Sequence, residues 1–381
     1  MPILKDMQHV HFIGIGGIGI SALARLLLGL GVTVSGSDRS PNRITQQLQE
    51  EGATFFPSHA AEQITGAELV VYSGAVPKDN PEYQAALEAG ILLWHRAELL
   101  AAFMKETPSV AITGTHGKST CTAMLAQILI TAGLDPTVII GGEFSFIGSN
   151  AKLGQGNILV AEVDESDGSF LQLAPTHAIL TNMEWDHLDH YPSLEAVVAA
   201  CQTFLQLLPP QGIIVLGNDC PQVAALAPKG TWQGRQVIRS GTQLGEGTAS
   251  QVEYHRDMTS FLFSWQGTPL GKVSLHVPGK HNVQNATSCL SMALALGVSF
   301  PQAAVALENF RGVDRRLQLV GQCREIAVYD DYAHHPSEIR AILAASRQLA
   351  GERLVVAFQP HLYSRTHLLL SDFALALATA D

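Results

Sequence analysis

Residues 109–120, Ser109-Val110-Ala111-Ile112-Thr113-Gly114-Thr115-His116-Gly117-Lys118-Ser119-Thr120, decide the fold of this chain. Val110 to Thr113 read as a buried strand, Gly114 and Gly117 open a tight turn, and a helix follows through Ala132. Strand, glycine-rich loop and helix in that order make a phosphate cradle. Successive backbone N–H groups at the helix start face the phosphate oxygens, a lysine reaches the β- and γ-phosphates, and a hydroxyl beside it suits Mg²⁺. Lys118 and Ser119 supply those two groups. The standard GxxxxGK[ST] spacing fails because position 112 is Ile. The physical parts survive, so Gly114, Thr115, His116, Gly117, Lys118, Ser119 and Thr120 form the candidate ATP-phosphate loop.

A second loop of this kind lies upstream. Gly14-Ile15-Gly16-Gly17-Ile18-Gly19 matches GxGxxG between a strand predicted over 9–15 and a helix over 21–30, and Asp38 follows at the end of the next strand, 32–36. This pattern reports a diphosphate–ribose shape, which NAD and UDP-sugars share. Reading it as the mark of an NAD-dependent oxidoreductase leaves the loop at 114–120 without a purpose.

Strand and helix patterns alternate through most of the chain, which predicts α/β domains with largely parallel sheets. Further strands are expected over 68–73, 91–94, 157–163, 178–181 and 213–216, antiparallel strands over 251–277, and a helix over 282–296. Lys105 to Pro108 read as a short linker. A third block from about 313 shows strands over 325–329 and 353–358 and helices over 336–349 and 368–380. That is short of a domain of roughly 100–150 residues, so the block is expected to be incomplete. The expected division is 1–106, 107–312 and a truncated 313–381.

The formal net charge of -11 argues against a nucleic-acid surface. No apolar run approaches the ~20 residues that span a bilayer, so no membrane insertion is expected. Five cysteines at long spacings, without CxxC, fit reduced thiols in a cytoplasmic protein.

Two polar loops follow central strands: Glu162-Val163-Asp164-Glu165-Ser166-Asp167 and 182–190, which holds Glu184, Asp186, His187, Asp189 and His190. Strand ends beside a phosphate loop are where Mg²⁺ ligands belong. His187 and His190 also form an HxxH, but no cysteine lies nearby, and Mg²⁺·ATP is favoured over zinc.

Taken together, HFIGIGGIGISALA, VSGSD, TGTHGKST, EVDESDGSF, TNMEWDHLDHY, HNVQNA, FRGVDRR, YDDYAHHPSEIRA and FQPHLYSRT resemble the Mur ligases, in the family's order and across nearly the whole chain. The resemblance implies a Rossmann-like UDP-binding domain, a central P-loop ATPase-like domain and a Rossmann-like C-terminal domain that helps bind an amino acid. It is nearest the members that join L-alanine to UDP-N-acetylmuramate with ATP and Mg²⁺, the first amino-acid addition to the cell-wall precursor. A sibling that attaches a recycled tripeptide is the alternative. By resemblance, Lys118, Glu162, His187 and Arg315 are catalytic, with Arg316 a second choice beside Arg315. Ser119, Glu162 and His187 would hold metal; Asn282 and Asn285, three apart on one helix face, would meet adenine, and Asp331 the ribose. Gly16, Gly17, Ser37, Asp38, Ser73 and Gly74 would bind UDP; Tyr332, His334 and Arg365 would face the amino acid. Family members often carry arginine where this chain has Leu362, which shifts work onto Arg365 and opens glycine or serine as minor substrates.

Overall fold

The computed structural model describes residues 4, 6–228, 230–256, 258–350 and 353–381. The N-terminal unit is a five-stranded parallel sheet of β1 (His9–Ile13), β2 (Thr33–Ser37), β3 (Thr54–Phe56), β4 (Leu69–Tyr72) and β5 (Leu92–His95). Its order is β3-β2-β1-β4-β5, so the direction of winding reverses at β1. Ligands of open α/β sheets sit at such a reversal, and the GxGxxG turn leaves β1 there. Gly14 takes φ +80, a conformation L side chains avoid, and its N–H donates to Ser37 O at 2.8 Å, which fixes the turn against β2. The helix Ile18–Gly29 buries Leu23, Leu26 and Leu27 behind it.

The central unit begins with β6 (Ser109–Thr113), every residue of which is buried. Beside it run β7 (Thr137–Phe144), β8 (Ser149–Lys152), β9 (Leu159–Glu162), β10 (His177–Leu180) and β11 (Ile213–Gly217). The sheet continues through β12 (Thr231–Trp232), β13 (Arg235–Gly241), β14 (Gly247–Tyr254), β15 (Thr259–Trp265) and β16 (Thr268–Leu275). The order along it is β16-β15-β14-β13-β11-β10-β6-β9-β7-β8, with β12 on β13. β6 is flanked by parallel β9 and β10, whose ends carry the two polar loops, so topology delivers both loops to the phosphate cradle. The antiparallel run expected from 251 is β14–β16 and starts at Gly247. Helices Lys118–Thr131 and Lys280–Ala295 pack together on the sheet through Met124, Ile128, Ala286 and Leu290.

The first two units share one core, in which Leu23 and Leu27 join Ala151, Phe170 and Leu173. Lys105 and Glu106, expected in a linker, complete the helix Arg96–Glu106 and leave only Thr107 and Pro108 between the units. That helix owes its length to a capping box at His95 and Glu98 and to buried Leu99, Leu100 and Phe103.

The C-terminal block holds an antiparallel hairpin, β17 (Gln318–Cys323) with β18 (Ile326–Asp330), and the helix Pro336–Leu349. Two expectations fail in this block. Residues 353–358 form no strand: Leu354 N–H donates to Asp381 Oδ2 at 2.7 Å and Leu354 O accepts from Asp381 N at 2.9 Å, so among the described residues these groups join no ladder. The helix expected over 368–380 is two helices, Tyr363–Leu368 and Leu370–Leu377, separated at Leu369. Ile339, Leu343, Phe373 and Ala376 make this block's small core. Among the described residues no helix is long and apolar enough to cross a membrane.

Candidate functional site

The phosphate loop is held open by its neighbours. Thr115 N–H donates to Asn182 O at 3.1 Å, His116 N–H to Asn182 Oδ1 at 2.8 Å, and Thr181 Oγ1 to His116 O at 2.7 Å. Gly117 has φ +84, and a Cβ there would lie 2.7 Å from Asn285 Oδ1. Gly117→Ala is therefore expected to lose about 1–2 kcal/mol of stability from the left-handed backbone alone. It also forces Asn285 aside, so nucleotide affinity falls; melting curves and calorimetric titration with ATP check the two effects, and unchanged affinity would contradict the packing argument.

Lys118 Nζ lies 2.8 Å from Gly114 O and 2.9 Å from both Glu165 oxygens. Burial alone would lower the Lys118 pKa, but Glu165, Asp164 and Glu162 outweigh it and raise the ammonium above its usual range. Ser119 Oγ donates to Glu162 Oε1 at 3.0 Å, and Gly141 N–H donates to Glu162 Oε2 at 2.6 Å. A hydroxyl and a carboxylate thus converge beside the loop, an oxygen donor set that fits a hard cation such as Mg²⁺. His187, at φ +54, points Nε2 to within 3.3 Å of Glu165 Oε1. One ligand atom from each of Asp164, Glu165 and His187 lies within 4.8 Å of the others. Asp164 and Glu165 were legible only as members of an acidic run; their convergence on His187 depends on β9 and β10 flanking β6.

Two cavities meet at this loop. One, of about 340 Å³, is lined by Gly117, Asn282, Asn285 and Asp331, the expected nucleoside set. Asn285 Nδ2 donates to Asn282 Oδ1 at 3.4 Å, which confirms their shared helix face. Asp331 accepts from Leu317 N–H and Ala333 N–H, both at 2.7 Å, yet burial outweighs them and raises its pKa. The other cavity, of about 540 Å³, lies where the three units meet; Lys118, Ser119, Glu162, His187, Tyr332 and Arg365 line it, as do Gly17, Ser73 and His334.

Some candidates lie elsewhere. Arg315, expected at the γ-phosphate, lines neither cavity: it is exposed, sits 3.4 Å from Asp330 Oδ2 and stacks over the Tyr332 ring. Its left-handed backbone, φ +60, turns the chain so that Arg316 lines both cavities instead. Ser37 is fully buried, and its hydroxyl donates to Glu82 Oε2 at 2.6 Å, so it shapes the end of β2 and does not face the cleft. Gly16 is buried and donates its N–H to Asp38 Oδ2 at 3.1 Å, while Gly74 lies on the surface beside Asp167. Arg96, which no motif singled out, lines the larger cavity and pairs with Asp164 at 3.2 Å.

The C-terminal block is held against the central unit by buried charge. Arg365 Nε and Nη2 reach Asp186 Oδ1 at 2.8 and 2.7 Å, with both side chains 3% exposed. Among the described residues, Arg365 Nη1 is buried without a hydrogen-bond partner. Nearby, Ser337 Oγ donates to Glu184 Oε2 at 2.5 Å, and His116 lies 3.4 Å from Glu184 and 3.1 Å from Glu338, the latter a charge contact without hydrogen-bond alignment. Burial opposes the His116 charge, but Glu184 and Glu338 prevail and raise its pKa from 6.5 to about 9. Burial likewise opposes the Glu184 charge, but His116, Ser337 and His335 bring it from 4.5 down to about 2.

These shifts set a pH window. The raised His116 contributes stability fully below its unfolded pKa of 6.5 and loses it as pH rises through about 9. The depressed Glu184 contributes above 4.5 and loses it as pH falls through about 2. Small-angle scattering is expected to show unchanged compaction from about pH 5 to 7 and loosening as pH passes 9. Equal compaction at pH 7 and 10 would contradict the pairing.

Comparison with known proteins supplies the context. Residues 9–107 match the model described as Mur ligase family, catalytic domain; 112–293 match Mur ligase middle domain; 315–381 match Mur ligase, glutamate ligase domain. The chain is 45% identical over 376 residues to a UDP-N-acetylmuramate--L-alanine ligase of Syntrophotalea carbinolica, covering 98% of this chain and 81% of that one. It is 44% identical over 379 residues to the enzyme of that name from Aquifex aeolicus, covering 99% and 83%. Among solved structures, UDP-N-acetylmuramate-alanine ligase MurC from Thermotoga maritima superposes with TM-score 0.85 at 32% identity, covering 98% of this chain and 84% of that chain. A murein peptide ligase mpl from Psychrobacter arcticus gives 0.78 at 25% identity, covering 98% and 83%.

Proposed function

The chain belongs to the Mur ligase family, and from that premise we propose that it uses ATP to join L-alanine to the lactoyl carboxylate of UDP-N-acetylmuramate. The observation that carries this reading is the placing of Lys118, Glu162 and Arg365 in one cleft that meets the nucleoside cavity at Gly117. A free carboxylate does not acylate an amine at neutral pH. In the proposed cycle a lactoyl oxygen attacks the γ-phosphorus, the bond to the β–γ bridging oxygen breaks, and ADP leaves. The amine of alanine then attacks the acyl carbon, phosphate departs with the labile oxygen, and the nitrogen loses its proton.

The first step brings two anions together, a repulsion of ~4 kcal/mol for unit charges 4 Å apart at an effective dielectric of ~20. Lys118 offsets it from the loop side and Arg316 from the C-terminal block. Ser119 and Glu162 would hold one Mg²⁺, and His187 with Asp164 and Glu165 a second. Bound there, Mg²⁺ supplies further positive charge to the phosphate oxygens. The free Nη1 of Arg365 faces the α-carboxylate of the amino acid, with Tyr332 and His334 beside it. Gly17 and Ser73 receive the UDP-sugar, and Asp38, pinned to Gly16, shapes that loop. The reaction belongs to cytoplasmic peptidoglycan-precursor synthesis.

Phosphate release should require both UDP-N-acetylmuramate and an amino acid, with alanine ahead of serine and glycine. Release with a tripeptide but not with alanine would favour the sibling ligase. Leu362, which lines the same cleft as Arg365, adds no charge. Leu362→Arg is expected to lower the KM for alanine by about tenfold, the effect of one added charge-assisted contact; an unchanged KM would remove Leu362 from the amino-acid pocket.

A further inference from the structure

The ligase cycle leaves the His116 imidazole without a task. His116 contributes its backbone to the phosphate loop, and its ring meets Glu184 and His335. These three side chains come from separate segments: the loop after β6, the loop after β10 and the N-terminus of the helix Pro336–Leu349. His116 Nε2 stands 3.4 Å from Glu184 Oε2, and His335 Nδ1 stands 3.6 Å from that oxygen. One ligand atom from each lies within 4.8 Å of the others.

Those spacings have a simple geometric meaning. Nitrogen and oxygen ligands bound to Zn²⁺ at ~2.0–2.2 Å in a tetrahedron lie ~3.3–3.5 Å apart. Two of the three edges are close to that length before any ion is present. The set of two imidazoles and one carboxylate suits a borderline cation better than Mg²⁺, whose ligands are mostly oxygens. Behind the first ligand, Glu338 Oε1 lies 3.1 Å from His116 Nδ1. That contact lacks hydrogen-bond alignment, but the negative charge beside Nδ1 favours the tautomer protonated there, which leaves Nε2 to ligate a metal. His335 is only 6% exposed, so the site has a sheltered wall, and Glu184 with His116 borders the nucleoside cavity on the other side.

We propose that His116, Glu184 and His335 form a Zn²⁺ site, distinct from the Ser119–Glu162 and His187 sites, that staples the C-terminal block to the phosphate loop. The ion binds with three protein ligands and one open position. It displaces one proton from the His116 imidazolium to solvent, takes the His335 Nδ1 lone pair that faces the Ser337 N–H, at 3.3 Å, and two blocks of the chain become ligands of one centre. Domain opening then requires a metal–ligand bond to break, so Zn²⁺ holds the molecule closed and slows turnover. Metal binding stands independently of the ligase reading; the slowing of turnover rests on it.

The test uses the full chain without nucleotide and Zn²⁺ competed against a chromophoric chelator. His335→Asn removes the imidazole but keeps a good helix cap, and Glu184→Gln keeps an acceptor for Ser337. Each is expected to weaken one zinc equivalent by at least about tenfold, and Glu338→Gln to weaken it by roughly 10–100-fold. His187→Asn should leave that equivalent unchanged. Melting curves establish that the variants are folded. Zinc affinity and stoichiometry equal in wild type and both ligand variants would overturn the site. Scattering should show Zn²⁺ compacting wild type but not His335→Asn; equal compaction overturns the staple. With ligase activity in hand, zinc at the level that fills this site should slow wild type and spare His335→Asn. Equal inhibition of both would overturn the link to turnover, while loss of all ligase activity leaves the chelator result to decide the site.

Discussion

Lys118→Ala is expected to lower turnover by about 10²–10³-fold, the scale on which enzymes lose rate when one preorganised group opposite a developing charge is deleted. The ammonium is held by Gly114 O at 2.8 Å and by Glu165 at 2.9 Å, so its place is set before substrate arrives. Without it, Asp164, Glu165 and Glu162 remain with one cation fewer, and the site becomes repulsive to both the carboxylate and the phosphate chain. Glu165 is 3% exposed at its side chain, so the variant also loses stability, and a melting curve is needed beside the kinetics. Lys118→Arg should not restore the rate, because a planar guanidinium does not reproduce the compact ammonium held between Gly114 O and Glu165. A folded Lys118→Ala protein with activity within tenfold of wild type would remove Lys118 from the mechanism.

Arg365→Ala combines two losses that can be separated. Asp186 is left buried without its guanidinium partner, which costs about 3–5 kcal/mol for a pair of this kind. Among the described residues, the Asp186 side chain then keeps a 2.7 Å bond from His187 N–H, in the loop that carries this candidate metal ligand. The amino acid loses the free Nη1, expected to raise its KM by roughly 10–100-fold. The double variant Asp186→Asn with Arg365→Gln should regain most of the stability, since no charge is stranded, but none of the affinity. Recovery of amino-acid affinity in the double variant would mean that Arg365 only supports the domain junction.

The phosphate loop and the first strand of each nucleotide unit were readable because their signals are local. Gly114 and Gly117 sit at φ +125 and +84, conformations that punctuate a sequence visibly, and β6 is buried throughout. The helix face shared by Asn282 and Asn285 followed from a spacing of three. Local signals could not separate Arg315 from Arg316, because neighbouring residues diverge only when the backbone turn between them is known. Ser37 looked available in VSGSD, yet Glu82, 45 positions away, claims its hydroxyl. The partner of Arg365 lies 179 positions away, and no periodicity reports such a pair. Residues 353–358 have the composition of a strand, but a strand exists only with a neighbour to bond, and Leu354 bonds to Asp381 instead.

In the proposed cycle ATP activates the sugar carboxylate by forming an acyl phosphate. Turnover of UDP-N-acetylmuramate carrying ¹⁸O in both lactoyl carboxylate oxygens, followed by mass analysis of the phosphate released, tests it directly. Each phosphate is expected to carry a single ¹⁸O, since the oxygen that attacked phosphorus leaves with it. Ligation accompanied by unlabelled phosphate would contradict the acyl phosphate, and with it the charge-offsetting roles of Lys118 and Arg316.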